Sequence, residues 1–424
     1  MPPRTPRSIS SLLALCALSA LTGCQSAKDR DLLDATYHPG NSAAIRRLLA
    51  DGASVSTEER LSGRQPIHHA AACGDIEAAK VLLAAGAKVD AGKDGYVITG
   101  NTLTTNGKSF HPTSFDQPIH VAAQKGQAEM VKFLLSSGAD VNAPGGEFYP
   151  IRDKTVQNPG TRPLQYAIRS GNAGVVRLLI ASGAKVAEAE TYVAASSQST
   201  EVMQLLLDAG GKIGDAEICL AAGGKTTAMV KLLLSVGANV NASSRPRTPL
   251  ACAAESGDAE MVKCLLGDGA NPKGKGISGE TALHFRMGVN SPEVARILIA
   301  AGADVNARDS YQATPLHGIA CCDDNDDNLA IARLLIKNGA DLNARSNHGV
   351  TPLHEAVRRG KHKTARLLLE SGANTQLRPA GTLGRNGVQS RPSPTALELA
   401  EDFGEKEIAA LIREHDAKRA AAKK

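Results

Sequence analysis

Gly349-Val-Thr-Pro-Leu-His-Glu-Ala-Val-Arg-Arg-Gly-Lys-His-Lys-Thr-Ala-Arg-Leu-Leu-Leu-Glu-Ser-Gly-Ala-Asn374 is the stretch on which the reading of this chain turns. Thr351 is a helix-capping residue type, and Pro352 suits the first helical position, where no backbone N–H is needed. Leu353, Ala356 and Val357 share one helical face, and Gly360 interrupts the run. Ala365, Leu368 and Leu369 follow at i, i+3, i+4, and Gly372 can take the left-handed conformation that closes a second helix. The stretch predicts a small helical hairpin. Its apolar face cannot be buried within one hairpin, so it needs neighbours of its own kind.

The helix-closing glycine recurs at Gly52, Gly86, Gly138, Gly183, Gly210, Gly237, Gly269, Gly302 and Gly339. The intervals are 34 residues from Gly52 to Gly86 and 33 from both Gly269 to Gly302 and Gly339 to Gly372. Thr-Pro-Leu-His recurs intact at Thr314 and in degenerate form at Gln65, Gln117, Arg162, Thr248, Thr281 and Thr395. From Asp31 to His415 the chain thus resembles the ankyrin repeat family, whose signature joins Thr-Pro-Leu-His-x-Ala-Ala to Leu-Leu-x-x-Gly-Ala-Asp-Val-Asn. The resemblance implies an all-α solenoid of about ten to eleven repeats, degenerate and capping ones included, that binds other macromolecules. It implies no enzyme activity and no cofactor.

Composition agrees with close stacking of small helices. Among 424 residues there is no Trp and only six Tyr and six Phe, so Ala, Leu and Val must do the packing. The formal charge of +5 falls to +3 without Arg4 and Arg7, which lie in a segment expected to be removed. That charge, with no arginine-rich face, argues against nucleic acid as partner.

Residues 1–23 read as a signal segment. Arg4 and Arg7 precede an apolar run of ten, Leu12 to Leu21, too short for a permanent membrane span. Leu21-Thr22-Gly23-Cys24 resembles the lipobox of bacterial lipoproteins, which implies cleavage before Cys24 and a diacylglycerol on its thiol. An ordinary signal peptide is the alternative. Gln25 after the cysteine implies the outer membrane, with the body facing the periplasm. Residues 24–30 are then a lipidated tether, 31–416 the repeats, and 417–424 a basic tail; the body is expected to be a monomer.

Two repeats are too long. Gly86 to Gly138 is 52 residues and Gly138 to Gly183 is 45, the excess lying at 91–115 and 143–160. The first contains Tyr96-Val97-Ile98-Thr99 and Asn101 to Thr105, with turn signals at Gly100-Asn101 and Asn106-Gly107, which predicts a β-hairpin. In ankyrin geometry these connections are the fingers, projecting from one edge, and insertions confined to one face often mark the binding face. They carry Tyr96, Phe110, Phe115, Phe148 and Tyr149, five of the twelve aromatics, the residue types favoured at interface anchors. Packing of long loops onto the scaffold would use the same side chains. A third long finger, at 375–394, is rich in Gly, Arg and Pro. The two intervals ending at Gly210 and Gly237 are only 27 residues and lack the Thr-Pro turn. Family geometry adds Tyr311, His348, Glu355 and Arg358 as finger and inner-helix partner-binding positions.

Other motifs weaken on inspection. Gly274-Lys-Gly-Ile-Ser-Gly279 matches a dinucleotide fingerprint literally, yet it follows a helix and not a strand. Gly223-Gly224-Lys225-Thr226 lacks the first glycine of a phosphate loop, having Cys219 in its place. His68, His120, His284, His317 and His354 occupy the Thr-Pro-Leu-His position, which in the family bonds backbone; none of the histidines has ligand spacing, so no metal site is expected. Asp323 to Asn328 is an acidic insertion without the alternation and glycine of a calcium loop, and reads as solvated. Arg286 replaces the first small residue of its inner helix. Of the body cysteines, Cys252 and Cys264 lie level in one repeat but face apart, Cys321 and Cys322 are adjacent, and with Cys73 and Cys219 all six read as small buried packing residues. No catalytic constellation is visible. The chain reads as a membrane-anchored periplasmic scaffold or adaptor that binds a protein. An immunity protein against a periplasm-acting toxin is the alternative, and a small-ligand receptor or enzyme built from the fingers ranks below both.

Overall fold

The computed structural model describes residues 26–59, 62–92, 103–105, 108–110, 113–114, 116–145, 147–151, 154–157, 161–224, 226–243, 247–284, 291–379 and 393–422. These residues fold as two compact units, meeting in sequence at Lys185 and Val186. The first contains α1 (Ala27–Thr36), α2 (Ser42–Ala50), α3 (Pro66–Cys73), α4 (Ile76–Ala84), α5 (Pro118–Gln124), α6 (Ala128–Ser136), α7 (Pro163–Arg169) and α8 (Ala173–Ala181), with short strands in the connections. The second contains α9 (Glu188–Ser197), α10 (Thr200–Asp208), α11 (Asp215–Gly223), α12 (Thr227–Ser235), α13 (Pro249–Ser256), α14 (Ala259–Gly267), α15 (Pro292–Ala300), α16 (Pro315–Cys321), α17 (Asp326–Lys337), α18 (Pro352–Arg358), α19 (His362–Glu370), α20 (Ala396–Phe403) and α21 (Lys406–Ala421). Within each unit, inner helices pack on inner and outer on outer, the arrangement of a stacked helix-hairpin solenoid.

The ten predicted closing glycines all have positive φ, between 84° and 98°. Each lets the chain reverse at the end of an outer helix, where a Cβ would crowd the preceding carbonyl. Ile67, Ile119, Leu164, Leu250, Leu316 and Leu353 sit at the second position of inner helices and are almost fully buried. Leu82, Leu134, Leu179, Leu206, Leu233, Leu265, Leu298, Leu335 and Leu368 repeat one position on the outer helices and are wholly buried. Each such leucine contributes about 2–3 kcal/mol of apolar burial, so the core is a periodic seam and not a single centre.

Two polar devices bond successive repeats. At four inner helices the histidine Nδ1 accepts the backbone N–H of the N-cap residue, Gln65 to His68 at 3.0 Å, Gln117 to His120 at 2.9 Å, Thr314 to His317 at 3.1 Å and Thr351 to His354 at 3.4 Å, and His284 accepts from Thr281 N in the same way at 3.0 Å, in the turn Thr281–His284. That leaves the proton on Nε2, which donates onward to the carbonyls of Asp116, Ala143, Ala313 and Val350 from His68, His120, His284 and His317 in turn, at 3.0–3.2 Å. His354 Nε2 faces the carbonyls of Leu377 and Pro394 with poorer geometry. The histidines are therefore structural, as their position in the repeat predicts. The second device is asparagine. Asn142 Nδ2 donates to Gly183 O (3.2 Å) while its Oδ1 accepts from Lys185 N (2.8 Å). Asn241 bonds Gly269 and Asn271 in the same way, and Asn306 bonds Gly339 and Asp341.

The two short repeats replace histidine by glutamate. Glu190 Oε2 accepts from Ala187 N at 2.9 Å and Glu217 Oε2 from Gly214 N at 3.0 Å, both carboxylates buried. Glu217 Oε1 also accepts from the Thr191 hydroxyl at 3.1 Å, which ties α11 to α9.

The long connections of the first unit contain strand. β1 (Leu103–Thr105) pairs antiparallel with β2 (Lys108–Phe110), with Asn106-Gly107 between them. β3 (Thr113–Ser114) pairs with β4 (Glu147–Ile151), and β4 with β5 (Lys154–Gln157), giving a three-stranded antiparallel sheet that joins the two insertions. Most of the third long finger, 380–392, lies outside the described residues, as do Tyr96 to Asn101 and Arg286.

Helix boundaries exceed expectation at both ends. α1 begins at Ala27, inside the expected tether, because Ser26 and Asp29 form a reciprocal capping box. α21 runs to Ala421, through the expected basic tail, in an Ala- and Lys-rich sequence of high helix propensity with a Lys418–Glu414 pair at 2.7 Å.

Candidate functional site

The described residues place the strongest candidate interface on three successive fingers of the second unit. Each finger is a tight turn closed on itself: Gly276 N to Glu280 O at 2.9 Å, Asp309 N to Ala313 O at 3.0 Å, and Ser346 N to Val350 O at 3.0 Å. The fingers also bond one another. Ser310 N donates to Ser278 O at 2.9 Å, and Asn347 N donates to Tyr311 O at 2.8 Å. Arg308 Nη1 reaches both Gln312 O (3.1 Å) and Arg345 O (2.8 Å), and Lys275 Nζ reaches Arg308 O (3.0 Å). Three turns that would each be mobile alone thus form one continuous ridge.

The middle turn is built around Asp309, which is 2% exposed. Its Oδ1 accepts the N–H groups of Tyr311 and Ala313, both at 2.8 Å. This carboxylate holds Gln312 in a left-handed conformation, φ 58°, where the flanking turns use Gly279 and Gly349. The result points Tyr311 outward at 58% exposure, on a ridge that also carries Ile277 at 72%. Exposed large apolar side chains on a hydrogen-bonded ridge are what an interface anchor requires. His348 is exposed on the third finger. Ile277 is a variable position of the Gly274–Gly279 match, which says nothing of its role; only its position in a finger could have marked it.

Glu355 and Arg358 are brought together rather than left free for a partner. Both are half-buried on α18, and Arg358 Nε and Nη2 donate to Glu355 Oε2 at 3.1 and 2.5 Å. The Cys321 thiol donates to that same oxygen at 3.4 Å, and burial together with the Glu355 charge pushes Cys321 up to about 12. Of the aromatics in the long insertions, Phe110, Phe148 and Tyr149 fall on β2 and β4, Phe110 opposite Leu103 and Tyr149 opposite Val156. Tyr96 and Phe115 lie outside the described residues, as does Cys24.

The acidic insertion is not simply solvated. Asn325 caps α17, and Asp324 reaches the N-terminus of α19 in the next repeat, accepting from Lys363 N at 2.7 Å, Thr364 N at 3.1 Å and the Thr364 hydroxyl at 2.6 Å. Its role is a helix cap supplied from outside the helix.

A polar cluster near the start of the first unit has no sequence signature. The Tyr37 ring lies 4.0 Å from that of His69, and its hydroxyl donates to Glu59 Oε1 at 2.6 Å. Burial and this bond push Tyr37 above its ordinary range. Burial alone would raise Glu59, but hydrogen bonds from Ser62 and Tyr37 hold it below the ordinary range. Burial holds His69 down to about 4. Ser62 donates to Glu59 and not to His69, so these three do not form a nucleophile–base relay. Among the described residues no group of three or more His, Cys, Asp or Glu could hold a metal ion.

The six body cysteines are all partly exposed, which corrects their expected burial, and none is in a disulfide. Cys252 and Cys264 do point apart: Cys264 lies against Asp268 on α14, at 3.6 Å, whereas Cys252 meets Cys219 of the preceding inner helix.

These features define a helical-repeat binding scaffold. The family described as Ankyrin repeats (3 copies) matches residues 32–144, 101–190, 218–309 and 290–378, and the chain belongs to that family, whose members are generally non-enzymatic binding scaffolds. The chain is similar to the mouse RelA-associated inhibitor, 39% identical over 84 residues, and to the mouse B-cell lymphoma 3 protein homolog, 37% identical over 70 residues. These matches span 20% and 16% of this chain and only 10% and 16% of the relatives. Among solved structures it is similar to the human ASB11 ankyrin repeat domain, 28% identical with a TM-score of 0.44, covering 57% of this chain and 99% of that one.

Proposed function

We propose that this chain is a lipid-anchored protein of a bacterial envelope that uses its finger ridge and inner helices to bind a protein partner, as a scaffold or adaptor. The observation that carries the reading is the Asp309-built turn that holds Tyr311 outward between two bonded fingers. A preorganised aromatic loses little freedom on docking, so its burial goes largely into affinity. Support for the anchor is the order of Arg4, Arg7, the apolar run and Leu21-Thr22-Gly23-Cys24. No helix among the described residues is long and apolar enough to cross a membrane.

Two experiments test this. Capture from native envelopes with the full chain, repeated with Tyr311→Ala and Ile277→Ala, should lose a partner while thermal midpoints stay unchanged. A partner retained at full strength by both variants would move the interface off the ridge. The captured protein's identity selects between a scaffold and the neutralisation of a toxin. For the anchor, cells fed labelled palmitate should label the chain, and Cys24→Ser should abolish the label and release the body from the membrane fraction.

A further inference from the structure

We propose that Cys219 and Cys252, on the adjacent inner helices α11 and α13, are a redox site that closes to a disulfide on reaction with an external disulfide. The two residues are 33 positions apart, one repeat. Their thiols hydrogen-bond to one another, and Cys219 also donates to Arg247 O at 3.7 Å. The end of α11 comes close as well: a Cβ at Gly223 would lie 3.9 Å from that of Cys252. Cys219 Sγ lies against the residue before the N-cap of α13 and the end of α11 lies against Cys252, so the two side chains face one another between the adjacent inner helices, and both cysteines are partly exposed to solvent.

The neighbourhood separates this pair from the other body cysteines. The Cys219 hydrogen bond and the Arg247 charge hold the Cys252 thiol below its ordinary range despite burial, and Arg247 is itself fixed by an ion pair with Glu255. Cys73, Cys264 and Cys321 are each shifted the other way, by burial first and then by a nearby carboxylate. The thiolate is the attacking species in disulfide exchange. Cys252 is thus the attacking group and Cys219 the resolving one.

The chemistry balances. The Cys252 thiolate attacks one sulfur of the external disulfide, forming a mixed disulfide and expelling one thiolate. Cys219, losing its proton, attacks the Cys252 sulfur and expels the second. The two protein thiols are oxidised by two electrons, the external disulfide is reduced to two thiols, and the two protons end on those thiols. The product bridges two repeats across their inner helices. This inference stands independently of the proposed partner interface.

The test uses the full chain exposed to oxidised glutathione, followed by proteolysis without reductant and mass spectrometry. The expected product is a peptide pair joined through Cys219 and Cys252 that separates on reduction. Cys219→Ser should stop at a glutathione adduct on Cys252. Iodoacetamide at neutral pH should label Cys252 several-fold faster than Cys73 or Cys264. Bridges formed only between other cysteines, or no bridge while Cys252 is readily alkylated, would overturn the proposal. So would labelling of Cys252 no faster than the rest. The wild-type mapping decides the matter even if the serine variant folds poorly.

Discussion

Asp324 lies 40 residues before Thr364, yet its Oδ1 accepts both the backbone N–H and the hydroxyl of that threonine, at 3.1 and 2.6 Å. Lys361, at the N-cap of α19, makes no side-chain cap bond. The cap of one repeat is therefore lent by the repeat before it. Asp324→Ala should lower unfolding free energy by about 1–2 kcal/mol, measured as a shift in the urea midpoint at unchanged slope. Thr364→Val should lose part of that. No shift in either variant would show the cap to be unimportant.

Acid should unfold this protein through its histidines. Burial holds His68, His69 and His354 down to about 4, and lowers His120 and His317 as well. An unfolded histidine titrates near 6.5. Between the two values the unfolded chain binds protons that the folded chain refuses. The stability is fully present above about pH 6.5 and is lost as pH falls towards 4, on the order of 2–3 kcal/mol for each of His68, His69 and His354. Urea midpoints measured from pH 7 to 4.5 should fall steadily, and His120→Gln should flatten the slope. A level profile would contradict the assignment of neutral, Nε2-protonated rings.

Asp309→Ala separates order from contact on the ridge. It removes the acceptor for two N–H groups without touching the exposed face, so it should cost about 1–2 kcal/mol of stability and also weaken partner binding. Tyr311→Ala should weaken binding by about 2 kcal/mol, roughly thirtyfold in Kd, with no loss of stability. Calorimetry on both variants checks the pair; equal losses of stability would make Tyr311 a packing residue.

Glu217→Ala should be among the costlier polar substitutions. It leaves Gly214 N without its buried acceptor and breaks the bond from the Thr191 hydroxyl, which keeps Lys212 O at 2.7 Å, a loss of about 1–3 kcal/mol. Chemical denaturation gives the value directly, and a change under about 0.5 kcal/mol would remove the inter-repeat role.

The repeat was legible because its requirements are local. A glycine that must reverse the chain, a histidine three residues after the N-cap and a leucine every repeat are all set by the geometry of one hairpin. The residues that escaped notice act between repeats. Asp324 reaching Thr364, Cys219 meeting Cys252 and Tyr37 meeting Glu59 depend on how far one hairpin is raised and turned on the next, which no short window of sequence contains. Glu217 was a near miss: it stands where the histidine stands in other repeats, but in a repeat without Thr-Pro. Glu355 and Arg358 were placed correctly on the inner helix, but their i, i+3 spacing pairs them with each other first.

The asparagines that bond successive repeats address only main-chain atoms: Gly183 O and Lys185 N, Gly269 O and Asn271 N, Gly339 O and Asp341 N. Such a joint does not read the side chain on the other side. Any hairpin that presents the same backbone satisfies that joint, so a unit can be duplicated, deleted or exchanged there with no matching substitution opposite the asparagine, whereas Glu217 with Thr191 and Asp324 with Thr364 are matched pairs. Chain length in this architecture is free to drift by whole hairpins, while the fingers diversify one at a time.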